Sequence, residues 1–151
     1  MDCQIRYATR DDVAAISRVV VSALRASNAQ DYPPDVIERV EQGFSPEAIL
    51  HLLTQRQIYV ATVDAHVVAT ASLERDMVRS VFVAPAYQGA GIGRQLMAVI
   101  QLVAASEGIS LLRVPSSITA EDFYASLGFK QLRDEFHGAE RTIIMEKRLD
   151  Q

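Results

Sequence analysis

Apolar positions recur in two different rhythms along the chain, and the switch between them places the elements. Val13, Ile16, Val20 and Leu24 come round every three or four residues, which sets them on one face of a helix. Thr9 stands where it can cap that helix, and Asp11 and Asp12 in its first turn suit the positive end of the helix dipole. A short strand over residues 4–8 comes before it. The pattern breaks at residues 31–34 and resumes as a second short helix over 36–42. Ser45-Pro46-Glu47 then opens a third helix with an N-cap, a first-turn proline and an acid, with Ile49, Leu50, Leu52 and Leu53 as its buried side. Beyond this the texture turns extended. IYVATV (58–63), a turn at 64–66 and VVATASL (67–73) predict a hairpin. A strand follows over 77–84, too uniformly apolar at its end for a surface position and therefore central. A helix over 92–106 carries Ile92, Leu96, Val99, Ile100 and Val103 on one face and stops at Gly108. Residues 111–114 read as a strand, 119–127 as a helix closed by Gly128, and 129–136 with 141–147 as a last hairpin. The order is strand, helices, three strands, helix, strand, helix, two strands, an α/β (α+β) arrangement.

Composition narrows this further. The 151 residues are 49% hydrophobic and 23% charged, without repeat or linker, so a single domain over 1–151, folded throughout, is expected. A net charge of −4 and no dense Lys/Arg run argue against a nucleic-acid partner. Cys3 is the only cysteine, so no intrachain disulfide or cysteine-based zinc cluster can form, and it reads as a small buried residue. His51 on the third helix, His66 in a turn and His137 are scattered without a carboxylate cluster, so no metal is expected. The N-terminus lacks a secretory pattern, and the longest nearly apolar stretch, residues 96–105, is short of the ~20 residues that span a bilayer. A cytoplasmic protein without a membrane partner is the expectation.

The candidate chemistry lies in VFVAPAYQGAGIGRQLM, residues 81–97, between the central strand and a helix start. Helix starts present unpaired N–H groups and a positive dipole end, which bind anions, and glycine lets a phosphate approach the backbone. Gly89, Gly91 and Gly93 by themselves are equally suited to a tight turn with close helix packing. A Walker A loop needs Lys-Ser/Thr after its last glycine, but Arg94-Gln95 follows Gly93. A dinucleotide fingerprint needs G-x-G-x-x-G near an initial strand and an acid about 20 residues later; this loop lies past mid-chain and Arg113 stands near that place.

The residues do resemble a family. V-x-V-x-P-x-Y-Q-x-x-G-x-G-R, from Val81 to Arg94, is similar to the acetyl-CoA loop of the GNAT-type N-acetyltransferases, with Gln88, Gly91 and Gly93 on its Q/R-x-x-G-x-G/A signature. AEDFYASLGF, residues 120–129, resembles the family's A-x-x-F-Y-x-x-L-G-F, in the expected order and distance. The resemblance implies a mixed, largely antiparallel sheet of about seven strands flanked by helices and splayed between the fourth and fifth. It implies acetyl-CoA as cosubstrate and no metal. The amides of Gly89, Ala90, Gly91, Ile92, Gly93 and Arg94 would hold the diphosphate, and Val81, Phe82 and Val83 would pair with the pantetheine arm as an added strand. Backbone N–H groups of the central strand would stabilise an oxyanion. Tyr124 would give a proton to the departing thiolate, with Phe123 in the core.

The chain departs from the family pattern in two respects. Met77, with Asp76 and Glu74 nearby, stands where some branches place a basic-site glutamate, and Leu112 where others do. Glu74, acting through water, is the first candidate for the base, followed by His137 and Glu140. Ser117 replaces an asparagine that contacts the cofactor in many members; it could do the same or cap the next helix. Residues 28–47, with Tyr32, Phe44 and several acids, would line the acceptor side and favour a cationic amine. The implied function is acetyl transfer to a small-molecule or peptide amine. A protein lysine or N-terminal acceptor, another acyl-CoA donor, and an acyl-CoA sensor without efficient turnover are the alternatives. A homodimer through the last hairpin is a further expectation from the fold.

Overall fold

The computed structural model describes residues 2–149. Strand β1 (Gln4–Tyr7) leads through a 3₁₀ turn into helix α1 (Val13–Ala26), followed by α2 (Pro34–Gln42) and α3 (Pro46–Leu52). Strands β2 (Gln57–Val63), β3 (His66–Glu74) and β4 (Met77–Val83) run as a meander into helix α4 (Ile92–Ser106). Strand β5 (Leu111–Ser117), helix α5 (Glu121–Ser126) and strands β6 (Lys130–His137) and β7 (Glu140–Arg148) complete the order read from the sequence. The sheet has seven strands in the order β1-β2-β3-β4-β5-β7-β6, so β4 is central. All pairings are antiparallel except β4–β5.

Alternation along β2 divides the core. Ile58 and Val60 pack with Ile16, Val20 and Leu24 of α1 and Val36 and Ile37 of α2, whereas Tyr59 and Ala61 pack with Leu96, Met97 and Ile100 of α4. Successive strand side chains point to opposite faces, so the sheet lies between α1–α3 and α4. On α3 only Ile49 is fully buried; Leu52 and Leu53 are half-buried and Leu50 is exposed. The helix is seven residues long, too short to present a wide apolar face.

Two irregularities in β4 shape the centre. Ser72 pairs with Arg79 and Thr70 with Phe82, so Ala71 alone faces both Ser80 and Val81. Ser80 sits at φ +54°, the left-handed conformation of a bulge that bends its strand. On the other edge, β4 meets β5 at a single register pair, Met77 with Arg113, and Arg113 N donates to Asp76 O at 2.9 Å. Past that pair the two strands part. No helix among the described residues is long and apolar enough to cross a membrane.

Candidate functional site

The parting of β4 and β5 opens a cavity of about 840 Å³. Its long wall is the second half of β4, where Val81, Phe82 and Val83 have no ladder partner on the β5 side. Carbonyl and amide groups on that edge are available to an extended ligand, as at any open sheet edge.

At the end of β4 the chain turns through residues 85–91 into α4. Gly89 and Gly91 adopt φ +81° and +82°, and Gly91 is the residue just before the helix. The first helical bond runs from Gln95 N to Gly91 O at 3.1 Å, and no amide from 89 to 94 donates to backbone among the described residues. Six N–H groups thus stand free at the positive end of a 15-residue helix. Gly89, Gly91, Ile92, Gly93 and Arg94 line the cavity; Ala90 is in the same loop but not in the lining. A Cβ at Gly89 or Gly91 would meet nothing within 4 Å, so these residues answer a backbone requirement next to open space. Gly93 differs, since a Cβ there would lie 3.3 Å from Phe123 Cζ. Gln88 braces the loop, its Nε2 donating to Val83 O at 3.1 Å and to Ser27 Oγ at 3.3 Å. Arg94 donates to Ser126 Oγ at 3.1 Å, which ties α4 to α5.

Tyr124 reaches the same cavity from α5 on the β5 side. It is 4% exposed, wedged edge-on between Phe123 and Phe129. Its hydroxyl has no hydrogen-bond partner among the described residues, yet it is not among the fully enclosed orphan polar atoms. Burial pushes its pKa above the ordinary tyrosine value, so the hydroxyl stays protonated through the neutral range. Ser117 also lines the cavity, and its Oγ accepts from Ala120 N at 3.2 Å in the turn before α5.

Glu74 is not brought to this assembly. It lies where β3 turns into β4, outside the cavity lining, with Oε1 at 3.3 Å from Arg79 Nε and 3.7 Å from Arg56 Nε. Among the described residues Glu140 is the one carboxylate in the lining, held by Arg39 Nη2 at 3.0 Å. His137 is exposed and outside it. The acids of 28–47 do not form the acceptor wall either: Tyr32, Val36, Ile37, Val40 and Phe44 line the cavity, while Asp35, Glu38 and Glu47 are exposed on other faces. The charged lining is instead largely cationic, from Arg56, Arg79 and Arg94. Arg79-Ser80 in an otherwise apolar central strand was the visible signal for this; Arg56, beyond α3, had none. No group of three or more His, Cys, Asp or Glu that could hold a metal occurs among the described residues.

Comparison with known proteins agrees with this geometry. Residues 28–149 match the model of the acetyltransferase (GNAT) domain. A GCN5-related N-acetyltransferase from Rhodopseudomonas palustris superposes with a TM-score of 0.92 at 21% identity, over 98% of this chain and 96% of that one. The PaiA N-acetyltransferase from Thermoplasma acidophilum, solved in complex with coenzyme A, gives 0.84 at 20% identity over 98% and 99% of the two chains. For yncA from Salmonella typhimurium, solved with its cofactor acetyl-CoA, the values are 0.68 and 23%, over 100% and 96%. At these identities the likeness is one of fold. No curated protein matches the sequence.

Proposed function

The chain belongs to the GNAT acetyltransferase family, and from that premise we propose that it moves an acetyl group from acetyl-CoA to the amine of an acceptor by direct attack. One observation carries this reading. The glycine loop with its free amides, through Gly89 and Gly91 to Arg94, the unpaired edge of β4 and the unpartnered Tyr124 hydroxyl all open onto one cavity.

Acetyl-CoA would supply an acyl carbon made reactive by its thiolate leaving group. The residues present fit it. Backbone N–H groups of Gly89, Ala90, Gly91, Ile92, Gly93 and Arg94 hold the diphosphate at the start of α4. The edge of Val81, Phe82 and Val83 pairs with the amides of the pantetheine arm, and Gln88 and Ser117 keep the two ends of that channel in shape. N–H groups on the same edge stabilise negative charge as it gathers on the acetyl oxygen. The acceptor nitrogen bonds to the acetyl carbon, the carbon–sulfur bond breaks, Tyr124 gives its proton to the sulfur, and the proton that the new amide nitrogen sheds restores Tyr124. Glu140 faces the cavity and takes the proton that the ammonium must lose. Glu74, set behind Arg56 and Arg79, fixes those guanidiniums in place.

Thiol release from acetyl-CoA over a panel of amines, with wild type and Tyr124→Phe, tests the proposal. Turnover on at least one amine is expected, and the variant should lose about 10²-fold in kcat while its CoA affinity stays within about twofold. Tight CoA binding without turnover on any amine would instead make the protein an acyl-CoA sensor.

A further inference from the structure

Arg56 and Arg79 line the cavity on the side of β4 away from the glycine loop, with Arg79 two residues before Val81. Arg56 is largely withdrawn from solvent, its side chain 15% exposed. Its Nη1 donates to Ser80 Oγ at 3.1 Å, but its Nε is enclosed without an acceptor. Arg79 is more open, its side chain 35% exposed; its Nε is enclosed without a hydrogen bond, and no side-chain nitrogen of Arg79 donates to a described residue. Glu74 Oε1 is the carboxylate near both, 3.7 and 3.3 Å away, outside hydrogen-bond geometry and behind the cavity wall. Two guanidiniums therefore share one carboxylate through their inner Nε atoms, which leaves a net positive charge on the cavity side. Burial and the like charge of Arg79 both pull the Arg56 pKa down, but a guanidinium keeps its proton at any working pH. A partly sheltered positive charge without a counter-ion of its own is costly unless an anion completes it.

The rest of this end is apolar. Val36, Ile37 and Val40 of α2 line it, and Phe44 meets Phe82 edge to face with ring centroids 5.7 Å apart. We propose that the acceptor is an amine that also carries an anionic group, a carboxylate or a phosphoryl, and an apolar body, with Arg56 and Arg79 holding the anion and the Phe44–Phe82 wall receiving the body. The inference rests on the acetyl-transfer reading, and it reverses the cationic acceptor side that the acids of residues 28–47 suggest in sequence. A site built to bind such a group discriminates against analogues that lack it, because the excess positive charge is then left without a counter-ion.

The test uses matched probes: leucine, phenylalanine and 5-aminopentanoic acid, each against its carboxamide, and the aminophosphonate analogues of the first two. Binding is titrated calorimetrically with CoA present, and acetyl transfer is followed by thiol release. At least one anionic probe should bind about tenfold more tightly than its amide, with the carboxylate and phosphonate arms telling which anion is preferred. Arg79→Gln should erase that preference, Arg79→Lys should keep part of it, and both should leave CoA affinity unchanged. Amides binding as well as acids throughout, or a preference that persists in Arg79→Gln, would overturn the inference. So would a parallel loss of CoA affinity, which would give the arginines to the cosubstrate. An anion preference in binding without turnover would sink the acetyl-transfer reading and leave the anion site standing; turnover without the preference would do the reverse.

Discussion

At Gly91 the backbone holds φ +82° beside open space, while two residues on, at Gly93, the constraint is a neighbouring ring. A side chain at Gly91 would stand in open space at the start of α4, and its φ would cost about 1 kcal/mol besides. Gly91→Glu should therefore lower CoA affinity about tenfold or more, since a carboxylate beside the loop's free amides competes with and repels a diphosphate. In Gly93→Ala the new methyl would crowd Phe123, whose ring lies 5.2 Å from that of Tyr124. That variant should keep CoA affinity within about twofold and lose stability by about 1 kcal/mol together with kcat. CoA titration and a thermal melt on the two proteins would separate the roles, and equal loss of affinity in both would refute the division. In the sequence the three glycines read as one cradle. Their difference depends on Phe123, thirty positions away, and no local pattern reports such a contact.

The start of α1 shows the same limit for an element. The stripe from Val13 to Leu24 reads as a helix capped by Thr9 with Asp11 and Asp12 as dipole complements, and the structure makes 10–12 a 3₁₀ turn and 13–26 the α-helix. The cap is reciprocal: Thr9 and Asp12 close a capping box, in which Asp12 Oδ2 accepts from Thr9 N at 2.8 Å and lies 3.3 Å from the Thr9 hydroxyl. Both Nη groups of Arg6 reach the same carboxylate, at 2.8 and 3.0 Å, which fastens β1 to α1. The Arg6 hydrogen bonds hold the Asp12 pKa below the usual carboxylate range in spite of its burial. A depressed folded-state pKa contributes stability above the unfolded value of about 3.9, lost as pH falls through the folded one. Asp12→Ala should cost about 2 kcal/mol at pH 7, and the gap between wild type and variant should narrow in acid. Urea melts at pH 7 and near pH 3 would show it; a gap independent of pH would mean that the carboxylate charge contributes nothing. Ser45, by contrast, caps α3 as its sequence predicts, accepting from Ala48 N at 3.1 Å, because that signal is local.

On the scale of the whole molecule, element order and the central place of β4 were legible because strand and helix periods are local, and the paired motifs announced the splay. What holds the parted sheet at its working width was not legible, because its ties join residues far apart in sequence. Tyr32, between α1 and α2, accepts from Ile118 N at 2.8 Å and donates to Arg141 O at 2.7 Å. Asp31 accepts from Thr119 Oγ1 at 2.7 Å, and Arg39 donates to Glu140 at 3.0 Å. These bonds run from the helical layer to the segment after β5 and the start of β7, so the helices fasten the half of the sheet that β4 releases. Of the three ties Tyr32 is the sheltered one, 9% exposed, and burial keeps its hydroxyl protonated and able to donate. Tyr32→Phe preserves the ring and removes both bonds, leaving a sheltered amide and carbonyl without a partner, at a cost of about 1–3 kcal/mol. Because Tyr32 also lines the cavity, the loss should reach function as a higher KM for the acceptor with CoA affinity nearly intact. Hydrogen exchange at the Ile118 amide gives a local readout, and protection there should fall further than at Leu96 in the α4 core. If Ile118 stays as protected as in wild type, Tyr32 does not set the spacing of the two halves, and the Asp31–Thr119 and Arg39–Glu140 ties suffice to hold it.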